Sequence, residues 1–300
     1  MIEGPAFRYH GGKYRLAPWV LQHFPPHRTY VEPYGGAAGV MLQKERAYSE
    51  VYNDLDGDVV NFFRVCQCPI GRMQLVEVLE ATPYAREEFE RAWEPTDHPV
   101  ERARRMVIRA QMGFGSAGAT KGRTGFRIDS QREYGTAQHL WARYPGTIGP
   151  VGDRFTGVLI EDRPALEVML AHDTPDTLHY VDPPYMHEAR KPGGGGHRYY
   201  RHELEHDDHV ALLGVLAQLQ GMVVLSGYPT ELYDRTLAEW GWTRTSTTAR
   251  ISAGRGGAIR NEVLWCNPAC KTPPSRQSVM DFAGKEESPV RANSFREYWK

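Results

Sequence analysis

The chain of 300 residues carries 36 Lys and Arg against 37 Asp and Glu, a formal net charge of −1. That balance excludes a uniformly basic nucleic-acid coat and leaves room for a local basic patch. The length and an apolar content of 41% suit one large domain or one domain with an insert. Four cysteines in this length point to a reducing cytoplasm over a disulfide scaffold, and no run approaches the roughly 18 apolar residues of a membrane span. The first residues lack a charged and then apolar leader.

In chain order, Phe7-Arg8-Tyr9-His10-Gly11-Gly12-Lys13 is a glycine turn before a predicted helix from Tyr14 to Phe24. The glycines let backbone approach a ligand, and Lys13 adds a cation beside the amides. A plain turn with a solvated lysine is the simpler alternative. Thr29-Tyr30-Val31-Glu32 then reads as a strand running into the small-residue loop Pro33-Tyr34-Gly35-Gly36-Ala37-Ala38-Gly39, with a helix-compatible stretch through Leu42. Such a loop binds nucleotide-like ligands at the carboxyl edge of a doubly wound sheet, and by itself it suits a dinucleotide equally well. Ser49–Asn53 reads as a second strand ending at Asp54, an acid placed to accept hydrogen bonds from ribose hydroxyls. A helix follows, capped by Asp56 or Asp58, with Val59, Val60, Phe62 and Phe63 as its buried face.

Between about 67 and 152 the α/β rhythm is lost. Helical patterns appear over 73–80, 87–93 and 100–112, followed by the glycine-rich, basic and aromatic stretch 112–127. Residues 100–145 hold nine cations and three acids, a local charge of +6. Arginine forks suit phosphates and guanine edges, so Arg109, Lys121, Arg123, Arg127 and Arg132 are candidate DNA contacts on an inserted module. A solvated charged helix with a loose loop is the alternative. The sheet resumes with the strand-like run 156–160, ending at the acids Glu161 and Asp162.

Leu178-His179-Tyr180-Val181 reads as a buried strand that stops at Asp182-Pro183-Pro184-Tyr185. The prolines have no N–H to donate, so the turn presents a carboxylate and carbonyls beside an aromatic ring. An exocyclic amino group, with two N–H donors and a π-face, is what this set is suited to receive. A Pro-Pro turn with a capping Asp is the plainer reading of these four residues.

The glycine-rich segment 188–200 is too permissive for an ordered element and is expected to act as a flap. A helix capped by Asp207 or Asp208 follows, with Gly221 at its C′ position. His202, His206 and His209 are expected at the solvated surface. Cys66/Cys68 and Cys266/Cys270 have poor zinc spacings. Met222–Leu225 is a buried strand, 251–260 a basic loop, Glu262–Trp265 the last strand, and 268–300 a loose tail.

Tyr9-His10-Gly11-Gly12-Lys13, Glu32-Pro33-Tyr34-Gly35-Gly36, Asn53-Asp54, Asp182-Pro183-Pro184-Tyr185 and Asn261-Glu262-Val263-Leu264 occur in one order. Over about residues 7–267 this order resembles the Dam-type (D12 class) adenine-N6 DNA methyltransferases of bacteria and phages. The resemblance implies an α/β, doubly wound, Rossmann-like methyltransferase sheet built from 1–66 and 153–267. It implies a mainly helical target-recognition insert at 67–152 and a tail at 268–300. S-adenosylmethionine is the implied cofactor and adenine in double-stranded DNA the substrate. By matching position, Tyr9, Lys13, Glu32, Pro33, Gly35, Gly36, Asp54, Asp162 and Asp182 would contact the cofactor, and Asp182, Pro183, Pro184 and Tyr185 would form the catalytic turn. Asp182 and the Pro183 carbonyl would accept the two N6–H bonds while Tyr185 stacks on a flipped base.

Related Pro-Pro-Tyr turns act on RNA or protein amino groups, usually with Asn in place of Asp, and on cytosine N4, usually with Ser. A non-catalytic DNA-binding relative and a nicotinamide oxidoreductase are further rivals, the latter leaving the Asp-Pro-Pro-Tyr turn unexplained. A monomer without obligatory partner is expected. Nothing resembles a nuclease motif, so an orphan or phage-protective enzyme is favoured over a fused restriction-modification protein.

Overall fold

The computed structural model describes residues 2, 4–116, 118–119, 122–128, 136–187, 200–251 and 258–272, without the side chains of 249–251 and 258–260. Among them are seven strands: β1 (Thr29–Glu32), β2 (Ser49–Asn53), β3 (Leu159–Glu161), β4 (Thr177–Val181), β5 (Met222–Gly227), β6 (Thr243–Ile251) and β7 (Ala258–Cys266). They form one sheet in the order β3-β2-β1-β4-β5-β7-β6. The first five are mutually parallel, and β7 runs antiparallel to both β5 and β6. From β1 the chain steps outward to β2 and β3, returns to β4 beside β1, and then steps the other way. The carboxyl ends of β1 and β4 are thus the point where strand order reverses, where open α/β sheets open a crevice.

Side chains alternate across the strands and feed two cores. Tyr30, Tyr52, Leu178, Tyr180, Val224 and Leu264 point to one face. There they meet α1 (Ala17–Leu21), α2 (Gly57–Gln67), α3 (Pro69–Glu80), α4 (Arg86–Arg91), α5 (Pro99–Met112), α6 (Ala137–Arg143) and α7 (Pro145–Phe155). Val181, Val223, Leu225, Val263 and Trp265 point to the other face, against α8 (Ala165–Ala171), α9 (His206–Leu216) and α10 (Glu231–Glu239). The helices of 67–155 share their core with α2 and the sheet, and the Phe63–Phe155 stack, with ring centroids 4.2 Å apart, ties α2 to α7. The expected boundary at 152 falls inside α7.

Several expectations need correction. The helix expected over 14–24 is only five residues long, and the stretch to Leu42 is a run of turns. Gly36 and Ala38 there have positive φ, and a Cβ on Gly39 would lie 2.6 Å from the Tyr14 nitrogen, so the segment is shaped by close backbone approach. Gly221 lies beyond the α9 C-cap Ala217, and a Cβ there would come within 2.6 Å of the Thr177 carbonyl. His209 is fully buried and bonded to the Tyr233 hydroxyl at 2.6 Å. The sequence reading anticipated neither α7, whose Gly and Pro content disguises the apolar positions Ile148, Val151 and Phe155, nor the Thr-rich edge strand β6.

Candidate active site

Three strand ends, the segment 9–13 and the segment 200–204 enclose a cleft of about 900 Å³, counted to its open mouth. It is lined by Tyr9, Lys13, Glu32, Pro33, Gly35, Gly36, Asp54, Asp182, Pro183, Pro184 and Tyr185, all of them expected site residues. Asp162 is exposed and lies outside the lining, whereas Ala165 of the same loop contributes.

The loop after β1 is fixed by its neighbours. Gly35 N donates to the Asn53 carbonyl at 2.8 Å, and Asn53 Nδ2 donates to the Pro33 carbonyl at 2.8 Å. The Tyr52 hydroxyl donates to the Gly36 carbonyl at 2.6 Å. A Cβ on Gly35 would sit 2.1 Å from the Tyr52 ring, and one on Gly36 2.7 Å from the Tyr9 ring. Both glycines are therefore set by aromatic side chains packed against the loop. Asp54 accepts from Gly36 N and Asp56 N, each at 2.8 Å. Burial pushes the Asp54 carboxyl up to about 6 against those two bonds. Burial likewise pushes Glu32 up to about 8, opposed by the Tyr30 hydroxyl at 2.9 Å.

At the end of β4, Asp182 Oδ2 pairs with Lys13 Nζ at 2.9 Å, with both side chains largely buried. Burial disfavours the Lys13 ammonium, but the carboxylates of Asp182 and Glu262 outweigh it and hold its pKa above the ordinary lysine value. For Asp182 burial dominates, so its pKa stays raised despite Lys13. Lys13 Nζ also donates to the Gly11 carbonyl at 2.9 Å and lies 4.8 Å from the centre of the Tyr185 ring. The Tyr185 hydroxyl lies 3.1 Å from Asp182 Oδ1, 2.9 Å from Glu262 Oε2 and 3.3 Å from Ser226 Oγ. Tyr228 meets its ring in a T-shaped contact at 4.5 Å.

Segment 200–204 closes the far side. The Tyr200 hydroxyl donates to the His10 carbonyl at 3.3 Å, and Arg201 pairs with Asp56 at 3.1 Å and Asp58 at 2.9 Å. Tyr200 and Arg201 line the cleft without any signal in the sequence pattern, and His202, expected at the solvated surface, lines it too. Glu262 and Ser226 were also missed as site residues, although Glu262 sits in the Asn261–Leu264 motif. Of the flap expected over 188–200 only Tyr200 is described, and of the tail expected over 268–300 only the first residues, where Pro268–Lys271 form a 3-10 helix; the rest of both lies outside the described residues.

The basic patch is largely spent on internal pairs. Arg109 is buried, 2.6 Å from Asp58 and bonded to the Ala92 carbonyl at 2.9 Å, so its guanidinium is engaged within the core. Arg102 pairs with Asp58, Arg104 with Glu88 and Glu101, and Arg105 with Glu101. The acids Asp58 and Glu88 lie outside the window that gave +6, which is why the charge count overstated the free face. Arg127 is also buried, one residue past the antiparallel bridge between Gly113 and Phe126 that joins the two described arms of a hairpin. Arg123 is exposed on that hairpin, as are Phe114 and Ile128. Lys121 and Arg132 lie outside the described residues. Arg8 holds the hairpin against the cleft by donating to the Gly113 carbonyl at 3.1 Å and to that of Gly115, and His10 Nδ1 lies 3.3 Å from Ser116 Oγ.

Among the described residues no cluster of three or more His, Cys, Asp or Glu is placed to hold a metal ion, and no helix is long and apolar enough to cross a membrane.

Residues 9–98 match the family model of the D12 class N6 adenine-specific DNA methyltransferases. The match spans Tyr9, Lys13, Glu32, Pro33, Gly35, Gly36 and Asp54, and it supports adenine-N6 methylation of DNA, the reaction of that class. No curated protein matches the chain. Among solved structures, the precorrin 8w decarboxylase of Methanobacterium thermoautotrophicum is similar at 10% identity, over 85% of this chain and 88% of that one, with a TM-score of 0.33.

Proposed function

We propose that this chain, matched to the D12 class over residues 9–98, is a site-specific methyltransferase. It would transfer a methyl group from S-adenosylmethionine to N6 of an adenine flipped out of double-stranded DNA. The observation that carries the reading is the convergence of Asp182, Lys13, Tyr185 and the Gly35-Gly36 loop on one cleft at the sheet's switch point.

The cofactor fits the charge of that cleft. Asp54, Asp56 and Asp182 line it against the cations Lys13 and Arg201, with the raised Glu32 carboxyl beside them, a small surplus of carboxylates suited to the net positive charge of a ligand with a sulfonium, an ammonium and a carboxylate. Gly35, Gly36 and Asp54 would hold its nucleoside part, as at the glycine loops of other doubly wound sheets. When bound, it supplies a methyl group on positively charged sulfur, an electrophile ready for attack.

The chain's own work is on the nucleophile. Adenine N6 is weak because its lone pair is delocalised into the ring. Asp182 and the Pro183 carbonyl would each accept one N6–H bond and localise that pair, and the Tyr185 ring would support the base. Catalysis of this kind is mostly positioning. Lys13 already covers Tyr185, so a base stacking on that ring face requires Lys13 to shift toward the Gly11 carbonyl. Flipping costs a few kcal/mol, offset by phosphate and groove contacts. The exposed side of the 113–126 hairpin, with Arg123 and Phe114, is the described surface beside the cleft best suited to make them. One flipped base needs one site, so a monomer is the working unit, acting in the cytoplasm where DNA is available.

The test is the methylome of cells expressing the chain against an empty-vector control, with Asp182→Ala beside it. N6-methyladenine at one recurring motif, lost in the variant while DNA binding persists, is the expected outcome. Methyl transfer that survives Asp182→Ala would refute the role of the turn. A cofactor-binding protein that marks no adenine would move the reading to RNA or protein amino groups.

A further inference from the structure

Within the reading above, and resting on it, we infer that Glu262 is a positioning residue: it draws the Tyr185 phenolic proton away from Asp182, so that a lone pair on Asp182 stays open for the adenine amino group. Without DNA, both Asp182 oxygens already have partners. Oδ2 faces Lys13 at 2.9 Å and Oδ1 faces the Tyr185 hydroxyl at 3.1 Å. Each carboxylate oxygen has two lone pairs, so an incoming N6–H can join either one but must share it with the donor already there.

Each of these partners has a second acceptor in place. Lys13 Nζ lies 2.9 Å from the Gly11 carbonyl, and the Tyr185 hydroxyl lies 2.9 Å from Glu262 Oε2, nearer than it is to Asp182. A phenol has one proton to donate. Given to Glu262, it leaves Asp182 Oδ1 able to accept. Given to Asp182, it takes one of the two lone pairs on Oδ1 and weakens that oxygen as an acceptor.

The fold places Glu262 for this purpose. It is buried on β7, one residue before Val263, which pairs with Gly227 of β5, and Ser226 of the same strand lies 3.3 Å from the same hydroxyl. Glu262 does not line the cleft, so it reaches the substrate through its neighbours, Tyr185 by a hydrogen bond and Lys13 by its charge. A buried carboxylate on an inner strand is costly without a partner, and the phenol is one such partner.

The test is a double-mutant cycle on steady-state methylation of duplex DNA by the full chain. Glu262→Gln keeps the shape but substitutes a weaker acceptor whose amide can donate to the phenol oxygen, driving the phenolic proton onto Asp182. We expect kcat to fall about tenfold or more with KM for DNA and cofactor within about threefold, the signature of a contact felt at the transition state. Adding Tyr185→Phe, which removes the proton in dispute, should restore at least about threefold of the loss, a non-additivity that coupled residues show and separate ones do not. Glu262→Ala, run in parallel, should behave alike.

Wild-type kcat in Glu262→Gln, or losses that simply add in the double variant, would overturn the inference while leaving the adenine reading intact. If the wild-type chain methylates no adenine, the reading and the inference fall together.

Discussion

Replacing Lys13 by Met removes the ammonium that faces Asp182 and keeps most of the side chain's volume. At 2.9 Å the attraction is about 6 kcal/mol in an effective dielectric of about 20, or about 4 pH units at 1.36 kcal/mol each. Water entering the vacated space reduces this, and measured carboxylates beside a cation move by about 1–3 units. Burial already raises Asp182 with Lys13 present, so without Lys13 its neutral form extends to higher pH. A protonated Asp182 accepts less well and donates into the site instead. In Lys13→Met the acid limb of kcat/KM against pH should therefore move up by about 1–3 units, with activity partly recovered at alkaline pH. The assay is initial-rate methyl transfer to duplex DNA from pH 6 to 10, in buffers of constant ionic strength. A uniformly lowered profile with its acid limb unmoved would refute the reasoning, and Lys13 would then be a binding group and not the charge partner of Asp182.

Glu32 predicts a pH dependence of stability. Its carboxyl is raised from 4.5 to about 8, so the folded chain binds an extra proton there. That contribution is full below about 4.5 and is lost as pH rises through about 8. Glu32→Gln, permanently neutral, should flatten the fall of Tm between pH 5 and 8, and an unchanged slope would contradict the assignment. Arg109→Ala should lower stability by about 3 kcal/mol, the low end for a broken buried pair because Arg102 and Arg201 still face Asp58. Chemical denaturation measures it, and the salt slope of DNA binding should stay as in the wild type. Arg123→Ala should do the reverse, leaving stability alone and reducing the salt slope by about one if Arg123 meets a phosphate. Gly35→Ala should abolish cofactor binding by calorimetry, because its Cβ would overlap the Tyr52 ring. Binding at wild-type affinity would show that the loop is free to move.

What could be read from the chain and what could not divides along a physical line. Strand ends are local events: an apolar run meeting Pro183 and Pro184, or Gly35 and Gly36, declares its boundary within a few residues, and those boundaries carry the chemistry. The family resemblance carried by the order of those motifs implied cofactor contacts at Tyr9, Lys13, Asp54 and Asp182, and all four line one cleft. Charge pairing is not local. Arg109 looks like a free cation in its own helix, because Asp58, its partner, is 51 positions away on α2. The same holds for Glu262, whose bond to Tyr185 spans 77 positions and exists only once β7 is laid antiparallel beside β5. Pattern also fails where tertiary packing overrides propensity, as in α7, where Pro150 and three glycines sit in a helix held by Ile148, Val151 and Phe155 against the core. A count of arginines near a glycine loop is therefore a weaker argument for a DNA face than the exposure of a single one. In this chain that points to Arg123 and the outer side of its hairpin, which Arg8 ties to the segment bearing Lys13. Displacing the hairpin should accordingly disturb Asp182 as well as DNA contact.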